Sequence, residues 1–131
     1  MIAETFRVRF YETDALQHVS NTALVCWFET CREPLFEMFN PGLDLDNWNL
    51  IVASYKVDLL QQIFLGDITV KTGLSRIGSS SFVVYQEVWQ NDQKCATGET
   101  VMVHFDYTNK KSEPIPSSVR GRLEELLVKG E

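Results

Sequence analysis

Four β-rich segments follow one another after residue 50 with little chain between them. They are IVASYKVDLL at 51–60, ITVKTGLSRI at 68–77, SFVVYQEVWQ at 81–90 and KCATGETVMVHFDY at 94–107. Branched and aromatic residues recur in each segment, which is typical of strands. The breaks GSS at 78–80 and NDQ at 91–93 have hairpin length, and hairpins join antiparallel neighbours. The chain is therefore predicted to build a mostly antiparallel sheet.

A long apolar stripe precedes these segments. Its members recur at the spacing of one helix face: Leu24, Trp27, Phe28, Cys31, Leu35 and Met38. The stripe spans about five helical turns, with Ser20 or Asn21 as the N-cap and NPG at 40–42 as the stop. Pro34 interrupts it, because proline lacks an amide donor and its ring crowds the carbonyl four residues earlier. We therefore expect a kink near Glu33.

Two shorter segments complete the pattern. FRVRFY at 6–11 alternates apolar with basic or polar residues and predicts a strand. VRGRLEELLVK at 119–129 has the spacing of a short amphipathic helix. The order strand, long helix, four strands, short helix predicts a single α+β domain over residues 1–131.

The strand predicted at 81–90 carries large apolar residues on both faces. Phe82, Val84 and Val88 fall on one face, and Val83, Tyr85 and Trp89 fall on the other. One helix covers only one face of a sheet, and an exposed apolar face marks an interface. Self-association is the simplest interpretation.

Composition excludes several classes of protein. Apolar residues make up 44% and charged residues 23%, as in globular domains, and no apolar run approaches the roughly 18 residues of a membrane span. The start MIAETFRVRF lacks the features of a secretory signal. The three cysteines are therefore expected to be reduced thiols in a cytoplasmic protein. A net charge of −6 argues against nucleic acid as a partner, and two histidines are few for a metal site.

The stretch YETDALQHVSN at 11–21 joins the first predicted strand to the long helix. Backbone N–H groups are unpaired at a helix start, so such a junction can hold an anion. Asp14 is an acid of this stretch, and His18 follows it by four residues. From the residues alone, Asp14 either forms an Asx-turn or cap, or acts as a nucleophile or base. His18 is equally open between a structural and a functional role.

Several motifs together resemble the hot-dog-fold thioesterases of the 4-hydroxybenzoyl-CoA thioesterase type. They are YETDALQHVSN at 11–21, WFETCR at 27–32, LGD at 65–67, RIGSSSF at 76–82, ATG at 96–98 and PIP at 114–116. The resemblance implies a long central helix wrapped by a curved antiparallel sheet of about five strands. It also implies that subunits join their sheets edge to edge, as a homodimer or a dimer of dimers, with active sites between subunits.

The resemblance also assigns roles at the junction. The acid at the position of Asp14 attacks the thioester carbonyl or activates a water for that attack, and a thioester is reactive enough for either route. The backbone amide of Asn21 binds the thioester oxygen and stabilises the oxyanion, with help from the helix dipole. His18 is a further catalytic candidate that orients water, touches the substrate or tunes the acid.

Other polar residues are candidates for binding the coenzyme A portion of a substrate. In related enzymes the hairpin after Gly78 lies near the pantetheine arm or the facing active site, so Ser80 and Ser81 are predicted contacts. A turn rich in small polar residues explains these serines equally well. The candidate cations for the phosphates are Arg76, Lys71, Lys110 and Lys111. Glu29 and Arg32 lie three residues apart and are predicted to form a pair on the helix surface.

The sequence therefore predicts an acyl-CoA thioesterase that needs no metal or redox cofactor. The alternatives are a thioesterase acting on acyl-carrier protein and a non-catalytic acyl-CoA-binding module, although a binding module has no need of the Asp14 carboxylate. A hydratase of the same fold is disfavoured, because its signature is absent. GSSSF lacks the G-x-S-x-G elbow of serine hydrolases, and no G-x-G-x-x-G indicates a dinucleotide. Aromatic, short, branched and fatty acyl groups all fit the sequence.

Overall fold

The computed structural model describes residues 1–128, and its centre is one antiparallel sheet. The strands are β1 (Ile2–Arg7), β2 (Leu50–Leu59), β3 (Asp67–Ile77), β4 (Ser81–Gln90), β5 (Gln93–Asp106) and β6 (Lys111–Ser112). They lie in the order β1-β3-β4-β5-β2, and β6 pairs with β5. Each pairing is antiparallel, so the predicted hairpin neighbours are confirmed. The two-residue β6 was not predicted.

Short turns join β3, β4 and β5 and fix their register. Between β4 and β5, Asn91 and Asp92 have φ angles of 50° and 62°, the left-handed pair that a type I′ hairpin requires. Between β3 and β4, the Gly78 N–H donates to the Ser81 carbonyl at 2.7 Å. Because both turns are short, the two hairpins could be located from the sequence.

Two helices in series replace the single long helix. They are α1 (Asn21–Cys31) and α2 (Glu33–Phe39), and Arg32 between them ends the first and caps the second. Pro34 lies in the first turn of α2, where a helix tolerates proline because the missing N–H has no partner there. The kink expected near Glu33 is therefore confirmed, and so is the stop at NPG.

The first strand begins and ends earlier than predicted. The alternation of FRVRFY placed it at 6–11, whereas β1 occupies Ile2–Arg7 and pairs with β3 along its whole length. Glu12 explains the early end, because its Oε1 accepts the Arg9 N–H at 2.7 Å. The segment Phe10–Glu12 then forms a short 3₁₀ helix, so its residues are not available to a longer strand.

The last helix is also shorter than predicted. Helix α3 spans Ser117–Glu124 rather than 119–129. The chain leaves the helix because the Leu74 N–H donates to the Leu126 carbonyl at 2.9 Å, beside a register slip of β3 against β4. Lys129, the last residue of the predicted helix, lies outside the described residues.

The helices pack on one face of the sheet. Five residues of the predicted stripe are buried there: Leu24, Trp27, Phe28, Cys31 and Leu35. Phe28 lies against Gly98 of β5, where an added Cβ would be 2.8 Å from the ring atom Cε2. Real Cβ atoms do not approach so closely, so the contact between helix and sheet requires glycine at this position.

The opposite face of the sheet is only half-buried and has a carboxylate at its centre. Glu87 accepts hydrogen bonds from Tyr85 Oη at 2.7 Å and from Trp89 Nε1 at 2.9 Å. Burial opposes ionisation of Glu87, but these hydrogen bonds and the nearby Lys94 ammonium outweigh it and lower its pKa. The second apolar face predicted for this strand is thus interrupted by a polar cluster.

Strand β2 forms an edge of the sheet, and most of its residues are exposed. Large apolar side chains on it lie open to solvent in the single chain, with Val52 45%, Tyr55 61% and Leu59 55% exposed. An exposed apolar edge is unusual in a protein that functions as a monomer. Self-association stays a prediction, and β2 is the element that most favours it.

Candidate active site

The junction segment 12–20 forms a loop that strand-like bonds hold against the end of the sheet. The Val19 N–H donates to the Ile63 carbonyl at 2.8 Å. His18 forms an antiparallel bridge with Phe64, between β2 and β3. Because α1 begins directly after this loop, the sheet fixes where the helix starts.

Asp14 lies in this loop with its carboxylate engaged on one side only. Its Oδ1 accepts the N–H groups of Leu16 at 2.8 Å and His18 at 3.1 Å. The Asx-turn considered for this residue therefore does form. Oδ2 makes no hydrogen bond within residues 1–128, and the side chain is exposed. One carboxylate oxygen is thus held by the backbone, and the other is free for chemistry.

The ring of His18 makes no hydrogen bond to Asp14. It packs edge-on against Phe64, with ring centroids 5.1 Å apart and an interplanar angle of 77°. The hydrogen bonds between His18 and Asp14 use the backbone of His18: its N–H donates to Asp14 Oδ1, and its carbonyl accepts the Asp14 N–H at 2.8 Å. The His18 ring therefore supports the loop by packing, and its catalytic role stays a prediction.

Asn21 is the first residue of α1, and its N–H has no acceptor among the described residues. Ser20 holds the predicted N-cap position, but its Oγ is hydrogen-bonded to Thr22 Oγ1 at 2.9 Å rather than to the backbone. The helix start is therefore left without a side-chain cap. Unpaired amides at this position carry partial positive charge and can stabilise an anion.

A cavity of about 310 Å³ opens beside the start of α1. It is lined by Val19, Asn21 and Leu24 on the helix side and by residues 59–63, from the last residue of β2 onward, on the other. Asp14 is not part of this lining. The single chain thus gives the Asn21 amide a pocket, while Asp14 belongs to the neighbouring loop.

Glu12 organises the junction, although no motif indicated it. Its side chain is only 8% exposed. Oε2 accepts a hydrogen bond from the Trp27 indole at 2.8 Å, and Oε1 accepts the Arg9 N–H. Because Trp27 is fixed in the core, Glu12 ties the loop containing Asp14 to the middle of α1.

Ser80 and Ser81 lie at the other end of the sheet from Asp14. Strand β3 begins at the junction end, and its 11 residues reach the serine turn, a span of roughly 33 Å. The Ser80 carbonyl accepts the His104 N–H at 2.8 Å, and Arg76 is exposed nearby along β3. One chain therefore does not bring these three predicted binding residues together with Asp14.

The predicted phosphate-binding lysines divide between two places. Lys110 and Lys111 are exposed where β5 turns into β6, at the same end of the sheet as the serine turn. Lys71 lies within β3, with its Nζ 4.5 Å from the centre of the Trp89 ring. Lys71 is therefore engaged by the outer face of the sheet, and the two turn lysines are the better candidates.

The predicted surface pair of Glu29 and Arg32 is wrong. Arg32 is only 6% exposed, and no carboxylate of the described residues forms an ion pair with it. The spacing already contained a signal, because Arg32 follows the buried Phe28 by four residues and such positions share a helix face.

The match to a known family covers the junction, the helices and most of the sheet. Residues 8–123 match the thioesterase-like superfamily. The chain belongs to this superfamily. As a thioesterase-like protein it is an enzyme that hydrolyses thioesters.

Solved structures of thioesterases resemble this thioesterase-like chain over almost its full length. A predicted thioesterase from Bacillus stearothermophilus is 35% identical, with a TM-score of 0.94 and 98% of both chains covered. A thioesterase from Thermus thermophilus, complexed with coenzyme A and Zn, is 27% identical, with a TM-score of 0.82 over 95% of this chain and 92% of that one. A gentisyl-coenzyme A thioesterase shares the fold at 22% identity, with a TM-score of 0.77 over 93% and 99% of the two chains. The α+β hot-dog fold is confirmed.

No curated protein matches the sequence. Within residues 1–128, no helix has the length and apolar character needed to cross a membrane. The same residues contain no group of three or more His, Cys, Asp or Glu arranged to hold a metal. The cysteines of the thioesterase-like chain are all free, with Cys26 exposed and Cys31 and Cys95 buried.

Proposed function

We propose that this thioesterase hydrolyses acyl-CoA thioesters, using Asp14 and the start of α1. The observation that carries the proposal is the one-sided engagement of Asp14: two backbone N–H groups bind Oδ1, and Oδ2 is free. A carboxylate held in this way is oriented by the backbone through one oxygen, and its second oxygen can meet the substrate or a water. The unpaired Asn21 amide supplies a donor for the negative charge that develops on the thioester oxygen.

Asp14 acts either as a general base or as a nucleophile. As a base, Oδ2 takes a proton from water while the water oxygen attacks the thioester carbonyl. The tetrahedral intermediate then expels the CoA thiolate, which takes the proton from Asp14. As a nucleophile, Oδ2 attacks the carbonyl itself, expels the CoA thiolate and forms an anhydride that water hydrolyses. The Asn21 N–H donates to the oxyanion in both routes, and one such donor is typically worth about 3–4 kcal/mol.

Two observations support coenzyme A as the carrier of the acyl group. The motifs resemble the 4-hydroxybenzoyl-CoA thioesterase type, and the Thermus thermophilus relative is complexed with coenzyme A. We further propose that the enzyme is a homodimer or a dimer of dimers in the cytoplasm. In such an assembly Ser80, Ser81 and Arg76 of one subunit serve the Asp14 of another, which accounts for their separation within one chain.

Release of the CoA thiol from a panel of acyl-CoAs tests this function. The acyl group should be varied at fixed CoA, with the same acyl groups also offered on acyl-carrier protein. Hydrolysis of at least one acyl-CoA in preference to its carrier-protein counterpart is expected. Preference for the carrier protein would overturn the choice of carrier, and binding without hydrolysis of any thioester would overturn the enzyme assignment for this site.

A further inference from the structure

A second cavity follows the first along α1. It has a volume of about 230 Å³ and lies between α1 and strands β2 and β5. Its lining includes Val25, Phe28, Arg32, Tyr55, Val57 and Gly98. On the helix side the first cavity borders Asn21, whereas the second borders Arg32. On β2 the first cavity borders Leu59 and the second borders Val52. The two cavities thus succeed each other between the same helix and strand.

Arg32 is buried in this second cavity, and its hydrogen bonds go to neutral groups. Nη1 donates to Thr100 Oγ1 at 3.2 Å and to Gln86 Oε1 at 3.5 Å. Nε is enclosed and has no hydrogen-bond partner. Nη2 likewise makes no hydrogen bond within residues 1–128. Burial lowers the pKa of Arg32, partly offset by the charge of Glu29, but a guanidinium stays charged in proteins.

A buried polar network holds the neutral partners in place. Gln86 is 0% exposed. Its Nε2 donates to the Phe28 carbonyl at 2.9 Å and to Thr72 Oγ1 at 3.1 Å, which leaves Oε1 facing Arg32. Fixed side chains of the sheet therefore hold the guanidinium through Nη1, and Nη2 is left without a partner among residues 1–128.

The nearby charges compensate Arg32 only in part. Glu29 borders the cavity but is exposed and forms no ion pair with it. Lys56, a second cation of the lining, is paired instead with Asp58 at 3.5 Å. Buried charges are normally paired. Because Nε is enclosed, Nη2 is the donor left for an incoming carboxylate, to which a guanidinium makes charge-assisted hydrogen bonds.

We propose that Arg32 binds a carboxylate at the far end of the acyl group, so that the substrates are monothioesters of dicarboxylic acids. This proposal rests on the acyl-CoA thioesterase function above and names its substrate class. The apolar side chains of Val25 and Phe28 accommodate the chain, and Arg32 recognises its end. A neutral polar end would fill the cavity but leave the guanidinium charge uncompensated.

The length of α1 sets the length of the acyl chain. Its 11 residues separate the Asn21 amide from Arg32, by about 16 Å at 1.5 Å per residue. The Arg32 side chain points back toward the helix start, which shortens the gap to on the order of 10 Å. The hydrogen bond at each end takes about 2.9 Å of this gap, which leaves about 4 Å for the acyl chain. An extended chain covers about 1.2 Å per bond, so roughly four bonds between the two end oxygens fill that distance. Short dicarboxylic acyl groups, of about the length of succinyl, are the expected best fit.

Matched pairs of substrates test the proposal on the unmodified enzyme. Succinyl-, adipyl- and suberyl-CoA should be compared with butyryl-, hexanoyl- and octanoyl-CoA, which have the same carbon counts and no terminal carboxylate. The expected kcat/KM is at least about tenfold higher for the carboxylate member of the best pair, the low end for charge-assisted bonds. Equal values, or a preference for the neutral member in every pair, overturn the proposal.

Substitutions then assign the preference to Arg32. Arg32→Met preserves volume and removes the charge, so it should abolish the preference for the carboxylate member of each pair. Arg32→Lys should restore part of the preference. Lys56→Gln is the matched control, since it removes an exposed cation from the same lining, and it should leave the preference unchanged. Equal loss on both substrate classes in folded Arg32→Met would mean a structural role and would also overturn the proposal.

The outcomes separate this proposal from the function on which it rests. Hydrolysis of neutral acyl-CoAs without any preference for a terminal carboxylate contradicts the role of Arg32 and leaves the thioesterase function standing. If neither substrate class is hydrolysed, the result contradicts the acyl-CoA function itself and therefore also the proposed role of Arg32. The comparison on the unmodified enzyme decides the matter even if Arg32→Met does not fold.

Discussion

Replacing Asp14 by asparagine separates chemistry from folding at the junction loop. Asparagine keeps Oδ1, so the bonds from the Leu16 and His18 N–H groups, at 2.8 and 3.1 Å, can persist. The negative charge and basicity of Oδ2 are lost. We expect kcat to fall at least about a hundredfold, the low end for losing a general base. Substrate affinity should be unchanged or higher, because no carboxylate then repels the thioester oxygen.

The structure also sets the size of the stability change. Water competes for an exposed carboxylate, so the two bonds to Oδ1 together contribute at most about 1 kcal/mol. Asp14→Asn should therefore keep Tm within about 2 °C of the parent, whereas Asp14→Ala loses both bonds and should lower Tm by about 3–5 °C in a domain of this size. Thermal unfolding and CoA release measured on the same preparations give both quantities.

Two results would refute this reasoning. Full turnover by Asp14→Asn would make Asp14 a structural residue and end the proposed mechanism. A large loss of Tm in the asparagine variant would mean that the loop depends on the charge itself, and the loss of activity could then not be assigned to chemistry. Asp14→Ala is the control that shows how much the loop bonds alone contribute.

Three further predictions concern the assembly, the thiols and the contact between helix and sheet. Light scattering at micromolar concentration should give at least a dimer, because the site is proposed to lie between subunits; an active 15 kDa particle would contradict this. A thiol reagent near neutral pH should modify Cys26 and spare Cys31, since burial and a hydrogen bond to Glu4 raise the pKa of the Cys31 thiol to about 12. The denatured protein without reductant should titrate three thiols, and one would reveal a disulfide. Gly98→Ala should lower the free energy of unfolding by about 1–3 kcal/mol, because its Cβ would lie 2.8 Å from Phe28; an unchanged denaturation midpoint would show that the ring can move.

Elements whose pattern is local could be predicted from the sequence. The helical spacing of Trp27 and Phe28 identified the buried face of α1, because periodicity follows directly from helix geometry. The short polar break at 91–93 identified a hairpin, and Asn91 and Asp92 in it adopt the left-handed angles of such a turn. Pro34 identified the break in the helix for an equally local reason.

The boundaries that were wrong depend on contacts distant in sequence. Residues after β1 leave the strand where Glu12 binds the Arg9 N–H, and Glu12 is itself fixed by Trp27, 15 residues away. Helix α3 ends early where Leu126 bonds to Leu74. Neither contact can be recognised from the residues around it. The strand predicted from alternation and the helix predicted from spacing were therefore both placed too far toward the C-terminus.

The sequence indicated candidate residues for the site but not their geometry. The motif around Asp14 and Asn21 pointed to both residues, yet nothing in it indicated which carboxylate oxygen is free. Arg32 was assigned to the surface because of its charge, although its spacing from Phe28 placed it beside the buried stripe. Ser80 and Ser81 were grouped with Asp14 through the resemblance, and a single chain separates them by most of a strand.

The exposed edge at β2 has a consequence for handling the protein. Its outer backbone N–H and C=O groups lack strand partners, and apolar side chains such as Tyr55 and Leu59 stand beside them. Such an edge templates the addition of further strands, including wrong ones. In the proposed assembly, a subunit that is released exposes this edge and can nucleate aggregation with other released subunits.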